Sequence, residues 1–497
     1  MKNSIKLNQK NLSAIADQIS TPTYNRSALK TGIVHVGIGG FHRAHQAYYI
    51  DQLLHKDSNT EWGICGVSLL NFDKKIYNTL KEQDGLYTLI IKEIDGSLTK
   101  RVIGSIVECI FAPENPLRVI EKMAHPDVKI ITLTITEGGY NFNESTGEFN
   151  FDNPLIQFDL KNSDSPKTIF GYLTQALKLR KENGLLGCSI QSCDNIQGNG
   201  DMTKKMLLTY VTKAEPNLVS WIQKNVSFPN SMVDRITPAT IPTDISNLRE
   251  TSGIDDAWPV VCESYKQWVI EDDFIAGRPA WEKEGAQFVA DVVPYENMKL
   301  SLLNAGHSVL GILGALIGYS TIDEVVHNKE IQSFLRTYMD KEVSPILKGL
   351  EGINLEEYKN SLLTRFGNIY IKDQVDRICS ESSAKFPIFI LPTLKAQLKD
   401  NGPIEHAAFV IAAWAIYSLG IDEKGNALNI KDALAKELLK KAIIAKENPE
   451  LFLEIESVFG NLKESEAFVK AYTKAYKNIL KSGVEKCVKD TNEINKM

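Results

Sequence analysis

Short apolar runs rich in β-branched residues alternate with helical stretches through the first half of the chain. The clearest strand candidates are residues 33–36, 62–67, 129–135 and 186–190, and small or polar residues follow each of them. This alternation is typical of an α/β fold, with a mostly parallel sheet and helices on its faces. Ligands of such sheets collect at the carboxyl ends of the strands. We therefore expect residues 37–42, 136–140 and 192–195 to converge on one crevice.

The hydrophobic pattern changes its period after about Pro294. Apolar residues then recur at helical spacing, as in Phe468, Tyr472, Tyr476 and Ile479, so the second half is predicted to be mainly helical. The chain has 497 residues, of which 43% are hydrophobic. This length is sufficient for two large domains with separate cores.

Charge and cysteine content exclude several classes of protein. The formal net charge of -6 comes from mixed signs along the chain, without the basic stripe that binds nucleic acid. The seven cysteines form no Cys-x2-Cys pair, which indicates reduced thiols. The first residues lack the apolar core of a secretion signal, and no run approaches the roughly 20 apolar residues that span a bilayer. We expect a soluble, cytoplasmic protein without membrane or nucleic-acid partners.

A glycine-rich turn follows the first predicted strand. Gly37-Ile38-Gly39-Gly40-Phe41-His42 precedes a helix-compatible stretch, which is the context that a dinucleotide-binding motif requires. Glycines let the backbone approach a pyrophosphate, whose charge is met by amide groups at the helix N-terminus. His42 stands where the usual third glycine would be, and an ordinary tight turn is the alternative. We predict that Gly37, Gly39, Gly40, Phe41 and His42 bind a nicotinamide dinucleotide.

The acidic residue that would hold the adenosine ribose is harder to place, because the second predicted strand ends without a carboxylate. Asp73 is the nearest candidate, and an acidic residue here favours NAD over NADP. Lys74 and Lys75 follow it immediately and would tolerate a 2′-phosphate. NADP is therefore the less favoured alternative.

His42 and His45 lie three residues apart and raise the question of a metal site. No cysteine or carboxylate accompanies them at ligand spacing, so a structural or phosphate-facing role is favoured and no metal is expected. Arg43, between them, either steadies a phosphate or forms a surface ion pair. The sequence does not separate these two roles.

Lys299, Asn304 and His307 form the pattern Lys-x4-Asn-x2-His. Oxidising an alcohol requires a base for the hydroxyl proton and a donor for the developing negative oxygen. A lysine is a suitable base if its apolar neighbours lower its pKa from about 10.4 towards neutrality. An asparagine amide aimed at the oxygen is worth about 3 kcal/mol in the transition state. The pattern predicts an alcohol-oxidising site, and three unrelated structural roles are the alternative.

The helical geometry of this run sets a constraint on Lys299. In an α-helix Asn304 and His307 share a face, whereas Lys299 lies well round the helix. We therefore expect Lys299 at the start of a helix, reaching inward along its stem. Tyr295 and Lys299 also have the Tyr-x3-Lys spacing of short-chain dehydrogenases. Those chains are much shorter, and Pro294 makes a helix through both residues less secure, so we treat the match as coincidence.

Several motifs in fixed order resemble the polyol-specific long-chain dehydrogenases. They are residues 37–45, 133–140, 192–195 and 232–235 and the Lys-x4-Asn-x2-His run, and the likeness extends nearly end to end. The resemblance implies a metal-independent, NAD-dependent oxidoreductase. It also implies a Rossmann-type NAD-binding domain at residues 1–290 and a helical substrate-binding and catalytic domain at residues 291–497.

The resemblance assigns roles to individual residues. Lys299 would be the general base, His307 a substrate-orienting residue, and Asn195 and Asn304 the pair of oxyanion donors. Arg377 and Asp234 would bind the substrate, and Asp73 would favour NAD. Two departures from the family pattern, Glu263-Ser264-Tyr265 and Ala305-Gly306, affect loop shape and substrate detail.

The reaction implied is the interconversion of D-mannitol and D-fructose by a monomer. A fructuronate reductase of the same family is the nearest alternative, and it would need one more cation, such as Arg365 or Lys385. A nucleotide-binding protein without turnover is the alternative from another class. The intact Lys299, Asn304 and His307 argue against it.

Overall fold

The computed structural model describes residues 4–57, 59–143, 147–350 and 352–494. The chain forms two compact units, Met1–Val293 and Pro294–Met497. The change of hydrophobic period near Pro294 therefore falls where one unit ends and the next begins.

The first unit contains both strands and helices. Its strands are β1 (Ile5–Lys6), β2 (Thr31–Val36), β3 (Gly63–Ser68), β4 (Tyr87–Lys92), β5 (Leu98–Ile103), β6 (Ile106–Phe111), β7 (Ile130–Leu133), β8 (Ser189–Ser192), β9 (Ser231–Asp234), β10 (Ile254–Asp255), β11 (Val260–Glu263), β12 (Gln267–Glu271) and β13 (Gln287–Val289). Its helices are α1 (Leu12–Ala16), α2 (Gly40–Ala44), α3 (Gln46–Lys56), α4 (Lys74–Glu82), α5 (Pro116–Ala124), α6 (Thr136–Gly139), α7 (Pro154–Asp159), α8 (Ile169–Glu182), α9 (Asn199–Ala214), α10 (Val219–Asn225) and α11 (Pro242–Ser252).

A five-stranded parallel sheet forms the centre of this unit. Its strand order is β6-β3-β2-β7-β8, and every neighbouring pair is parallel. The chain begins in the middle with β2, adds β3 and β6 on one side, and then adds β7 and β8 on the other. The order therefore reverses between β2 and β7, which is the switch point where doubly wound sheets bind ligands. The predicted α/β fold with a Rossmann-type sheet is confirmed.

The first unit also contains three smaller sheets, which were not predicted. Their orders are β11-β4-β5, β13-β12-β9 and β1-β10, and the pairs β4–β5 and β9–β12 are antiparallel. The hydrophobic core of the central sheet includes Val34, Val36, Ile131 and Leu133, each at most 1% exposed. Burial on both faces explains why these strands appear as continuous apolar runs.

The second unit is helical as predicted, and its described residues contain no strand. Its helices are α12 (Val293–Lys299), α13 (Ala305–Ile317), α14 (Ile322–His327), α15 (Lys329–Thr337), α16 (Leu355–Phe366), α17 (Val375–Cys379), α18 (Ser382–Phe389), α19 (Leu391–Asp400), α20 (Glu405–Tyr417), α21 (Ala435–Ala445), α22 (Glu456–Phe459), α23 (Glu466–Ser482) and α24 (Val484–Ile494). The periodic residues Phe468, Tyr472, Tyr476 and Ile479 are buried on α23, as their spacing predicts.

A π turn, Leu300–Asn304, joins α12 and α13. The result is one 25-residue helix, Val293–Ile317, with a window of mean hydropathy 1.7. By length and composition it could cross a bilayer, so the expectation that no run approaches this length was wrong. However, 89% of that window is buried within the protein, which is the property of a core helix.

Candidate functional site

The glycine turn lies at the switch point, after β2. Gly37 has φ of +98°, and a Cβ there would lie 2.0 Å from the Thr134 carbonyl oxygen. Only glycine fits this position. A Cβ at Gly39 would meet no atom within 4 Å, so that side of the turn is open. Helix α2 begins at Gly40, and the first N–H groups of a helix have no partner within it. The turn therefore has the features of an anion site.

Two histidines with stacked rings, His35 and His42, pack against the turn. The His35 Nε2–H donates to the Gly37 carbonyl at 2.9 Å, and Nδ1 accepts from the Thr132 hydroxyl at 2.8 Å. The His35 and His42 rings stack with centroids 3.3 Å apart. Burial lowers the pKa of His35 to about 3 and that of His42 well below its usual range, so both rings are neutral. The His42 side chain is 1% exposed and packs under the turn instead of facing a phosphate.

Arg43 and His45 are also buried and structural. Arg43 donates to the Trp258 carbonyl at 2.7 Å, and its guanidinium lies 5.2 Å from the centroid of the Tyr87 ring. Of the two roles expected from the sequence, Arg43 has neither the phosphate contact nor the surface ion pair, because it is buried against these partners. His45 Nε2 donates to the Gln267 carbonyl at 2.9 Å. In the described part of the chain, no three His, Cys, Asp or Glu side chains lie together as metal ligands would.

The loops after β2, β7 and β8 converge, as predicted. The Thr134 hydroxyl donates to the Gly37 carbonyl at 2.8 Å. The Asp194 carboxylate accepts from the Ile135 and Thr136 amides at 3.0 and 2.9 Å and from the Tyr140 hydroxyl at 2.7 Å. These bonds join the loop after β8 to the loop after β7, and they stabilise Thr136 at a φ of +59°.

Asn195 is exposed on the turn that Asp194 anchors. Burial raises the pKa of Asp194 to about 6. At the other end of the turn, the Asn199 amide donates to the Asp194 and Ser231 carbonyls at 3.0 and 2.7 Å. The backbone on both sides of Asn195 is thus fixed. Asp194 was given no role of its own from the sequence, although its place four residues beyond the predicted strand 186–190 was the available signal.

Asp73 ends a 3₁₀ turn, Asn71–Asp73, just beyond β3. Its carboxylate accepts from the Leu70 amide at 3.3 Å, and partial burial raises the pKa of this carboxyl. The Lys74 ammonium lies 3.0 Å from a Glu114 carboxylate oxygen, and the Lys75 ammonium lies 5.2 Å from the centroid of the Trp258 ring. Both lysines therefore have partners within the first unit.

Asp234 is the last residue of β9 and is 4% exposed. It pairs with Gln267 across the antiparallel contact of β9 with β12. The nearby segment Glu263-Ser264-Tyr265, which departs from the family pattern, is held by hydrogen bonds. The Glu263 carboxylate accepts from the Ile236 amide at 2.6 Å. The Tyr265 hydroxyl donates to the Gln267 side chain at 3.0 Å.

In the second unit, Lys299 ends α12 and is 5% exposed. The expectation that it begins a helix and lies far round from Asn304 was wrong. The Ala305 amide bonds to the Leu300 carbonyl, five residues back, which is the π-helical pattern. In an α-helix, the side chains of residues five apart point in directions that differ by about 140° around the helix axis. The wider π turn reduces this difference, so Lys299 and Asn304 come closer to one face of the helix.

Asn304 and His307 continue this face into α13. The Asn304 Oδ1 is buried and has no hydrogen-bond partner among the described residues. His307 is 9% exposed, and its ring centroid lies 4.5 Å from that of Phe366. A Cβ at Gly306 would lie 3.2 Å from both Phe366 and Met339. The small residues of the Ala305-Gly306 departure therefore fit a crowded position.

Pro294 does not interrupt α12, contrary to the argument against a helix through Tyr295. It lies in the first turn, where proline is tolerated because the N–H it lacks would have no helical partner. Tyr295 is 3% exposed and lies one turn before Lys299.

Arg377 lies on α17 and forms a fork with Asp373. Its Nε donates to one carboxylate oxygen at 2.7 Å and its Nη2 to the other at 2.5 Å, while 52% of the side chain stays exposed. Lys385 on α18 donates to the Ile378 carbonyl at 2.9 Å. Arg365 on α16 is 5% exposed.

The first unit has a glycine turn at the switch point of a parallel sheet. The second unit has a helix that carries a buried lysine, an asparagine and a histidine. These features are typical of an oxidoreductase of the dehydrogenase class. Residues 31–283 match the mannitol dehydrogenase Rossmann domain, and residues 291–480 match the mannitol dehydrogenase C-terminal domain. The chain belongs to the mannitol dehydrogenase family.

Relatives and solved structures match over nearly the whole chain. A mannitol 2-dehydrogenase of Neosartorya fischeri is 45% identical over 493 residues, which are 97% of this chain and 98% of that protein. The Pseudomonas fluorescens mannitol 2-dehydrogenase, solved as a ternary complex with NAD and D-mannitol, is 42% identical with a TM-score of 0.90, covering 98% of this chain and 100% of that one. A substrate-free D-sorbitol dehydrogenase is 35% identical with a TM-score of 0.89, covering 97% and 100%.

Proposed function

We propose that the chain oxidises D-mannitol to D-fructose with NAD and catalyses the reverse reduction. The observation that carries the proposal is the 42% identity and TM-score of 0.90, over 98% of the chain, to an enzyme solved with NAD and D-mannitol. The D-sorbitol dehydrogenase is less similar, at 35% identity. The buried lysine, asparagine and histidine of the second unit supply the chemistry that such an oxidation requires.

The cofactor would be held by residues of the first unit. Gly37 and Gly39 give the backbone room for a pyrophosphate, since a side chain at Gly37 would collide with Thr134 and the space beside Gly39 is open. The backbone amides of Gly40, Phe41 and His42 meet its charge at the start of α2. Bound NAD supplies the acceptor for the hydride that leaves C2 of the polyol.

Asp73 is proposed to accept hydrogen bonds from the adenosine ribose and so to favour NAD. An acidic residue beyond the second strand of such a sheet has this role, because its charge repels a 2′-phosphate. The two adjacent lysines are engaged with Glu114 and Trp258, which supports NAD over NADP.

Lys299 is proposed to remove the proton from the C2 hydroxyl. Burial of an amine favours the neutral form that accepts a proton, and Lys299 is 5% exposed. Asn304 lies on the same helix face, so its amide is positioned to donate to the oxygen that Lys299 deprotonates. His307, one turn further, orients a substrate hydroxyl. Asn195, on the anchored turn of the first unit, is proposed as the second donor to the developing alkoxide.

Arg377 and Asp234 are proposed to bind further hydroxyls. Asp373 fixes the Arg377 guanidinium in one orientation, and its exposed half can donate to a polyol. A hexuronate would need one more cation for its carboxylate, such as Arg365 or Lys385. The preference for an uncharged polyol over fructuronate rests on the similarity to an enzyme solved with D-mannitol.

We propose that the enzyme is monomeric and cytoplasmic and that it needs no metal. Light scattering of the purified protein tests the monomer, cell fractionation tests the location, and dialysis against a chelator tests the metal independence. Activity that falls on dialysis and returns with a divalent cation would contradict the last point.

A substrate panel tests the proposed reaction. Rates of NADH formation or consumption are measured with mannitol, arabinitol, sorbitol, fructose and fructuronate, each with NAD and with NADP. Mannitol and fructose with NAD should give the highest kcat/KM. Preference for sorbitol or fructuronate would overturn the assignment of substrate. Cofactor binding without turnover of any compound would favour the nucleotide-binding alternative.

A further inference from the structure

The segment from Leu70 to Lys75 lies at the carboxyl end of β3, on the side of the sheet that holds the glycine turn. Leu70 and Phe72 are 46% and 79% exposed, so the segment presents apolar surface to solvent. Asp73 stands between this apolar surface and the two lysines. The segment therefore has the composition of a site for an adenosine group.

Glu114 reaches this segment because of strand pairing. β6 lies beside β3 with Ser68 opposite Phe111, so the loop after β6 emerges beside the turn that follows β3. The Glu114 carboxylate lies 3.0 Å from the Lys74 ammonium, with the two side chains 54% and 57% exposed. The same ammonium lies 5.9 Å from the centroid of the Phe111 ring. The Lys74 ammonium thus lies beside Phe111, at the end of β6, and Glu114, in the loop that follows.

We propose that Glu114 is a positioning residue that keeps Lys74 from serving a 2′-phosphate, and that it sets the preference for NAD together with Asp73. The proposal rests on the proposed function, because it concerns the cofactor of that reaction. Asp73 and Glu114 supply two carboxylates to this segment, and Lys74 and Lys75 supply two ammonium groups. Lys74 is paired with Glu114 and Lys75 lies against the Trp258 ring, so both ammonium groups already have partners. A 2′-phosphate, with about -1.5 to -2 charges, therefore meets the Asp73 carboxylate without a released cation to offset it.

The expected effect is moderate, because the pair is half-exposed and surface ion pairs are weak. Glu114→Gln removes one negative charge and releases Lys74 at the same time. We expect the ratio of kcat/KM for NADP to that for NAD to rise roughly threefold to tenfold. The Kd for NADPH should fall by a similar factor, while the Kd for NADH changes little.

Four variants separate release of Lys74 from a simple change of charge. Glu114→Gln should show the gain, Lys74→Met alone should not, and Glu114→Gln with Lys74→Met should lose most of it. Glu121→Gln, on α5, makes the same change of charge at an exposed position and serves as the matched control. It should leave the cofactor ratio unchanged. Thermal unfolding of each variant confirms that the exposed substitutions leave the fold intact.

Two measurements are made on each protein: steady-state rates with both cofactors, and Kd values for NADH and NADPH from quenching of protein fluorescence. An unchanged ratio in active Glu114→Gln would overturn the proposal. A gain that survives Lys74→Met, or that Glu121→Gln reproduces, would also overturn it, because the effect would then be one of charge alone. Failure of the proposed function would differ, since the unaltered protein would then show no NAD-dependent turnover.

Discussion

Replacing Lys299 with alanine removes the proposed base and tests the chemistry of the second unit. General-base catalysis contributes about 10²- to 10⁴-fold, which corresponds to roughly 3–5 kcal/mol of activation free energy. Lys299 is 5% exposed at the end of α12, so bulk water cannot readily replace the amine, and we expect a loss near the upper limit. The assay is kcat for mannitol oxidation as a function of pH, without and with small primary amines. Added amine should restore part of the turnover, because alanine leaves space for it.

Lys359→Ala is the matched control, since Lys359 is equally buried at 6% exposure. Its ammonium contacts Asp340 and lies 3.1 Å from a Glu356 carboxylate oxygen. Loss of these ion pairs should lower the free energy of unfolding by about 1–3 kcal/mol, with little loss of turnover and no response to amines. Near-normal turnover of Lys299→Ala across the pH range would refute Lys299 as the base. If added amines raised the turnover of both variants equally, they would not be replacing the Lys299 side chain, and our explanation of the rescue would be refuted.

Four further substitutions distinguish the roles of other residues. Asn304→Ala should lower kcat by roughly a hundredfold with little change in KM, and a change confined to KM would exclude Asn304 as an oxyanion donor. Arg377→Ala should raise KM for mannitol more than it lowers kcat in steady-state kinetics, unless Arg377 acts in the transition state. Asp194→Ala leaves the Ile135 and Thr136 amides without their acceptor and removes one of the two partners of the Tyr140 hydroxyl, and should lower the free energy of unfolding by on the order of 3 kcal/mol. Tyr140→Phe, which removes one of these bonds, should cost about 1 kcal/mol in the same denaturation assay; equal costs would mean that the Asp194 amide contacts contribute little.

Features that depend on local sequence could be predicted. The turn at Gly37 follows from glycine placed directly after an apolar run, and its positive φ requires that residue. The burial of Phe468, Tyr472 and Tyr476 on α23 follows from their helical period. Both signals lie within a few residues of the feature that they predict.

Features that depend on distant pairing could not be predicted in the same way. The stack of His35 on His42 requires Thr132, which only the pairing of β2 with β7 brings near. The partner of Lys74, Glu114, is set by the pairing of β3 with β6. Arg43 was expected to serve a phosphate or an ion pair, but backbone carbonyl and aromatic partners far along the chain keep it buried.

The shared face of Lys299 and Asn304 is an intermediate case. Its residues are adjacent in sequence, but an α-helical period places them apart. The π turn that brings them closer is a rare structure that frequently marks functional sites. No residue type in Leu300–Asn304 predicts such a turn. The pattern singled out the three residues as a group, but the α-helical period gave the wrong position for Lys299 in the helix.

Transfer of deuterium from mannitol to NAD tests the central claim most directly. D-mannitol carrying deuterium at C2 and at its symmetry-equivalent C5 is incubated with the protein and NAD, and both products are analysed by mass spectrometry. We predict one fructose, with one deuterium retained, for each reduced cofactor, which carries the other deuterium. Reduced cofactor without deuterium, or a product other than fructose, would contradict oxidation at C2 by direct hydride transfer.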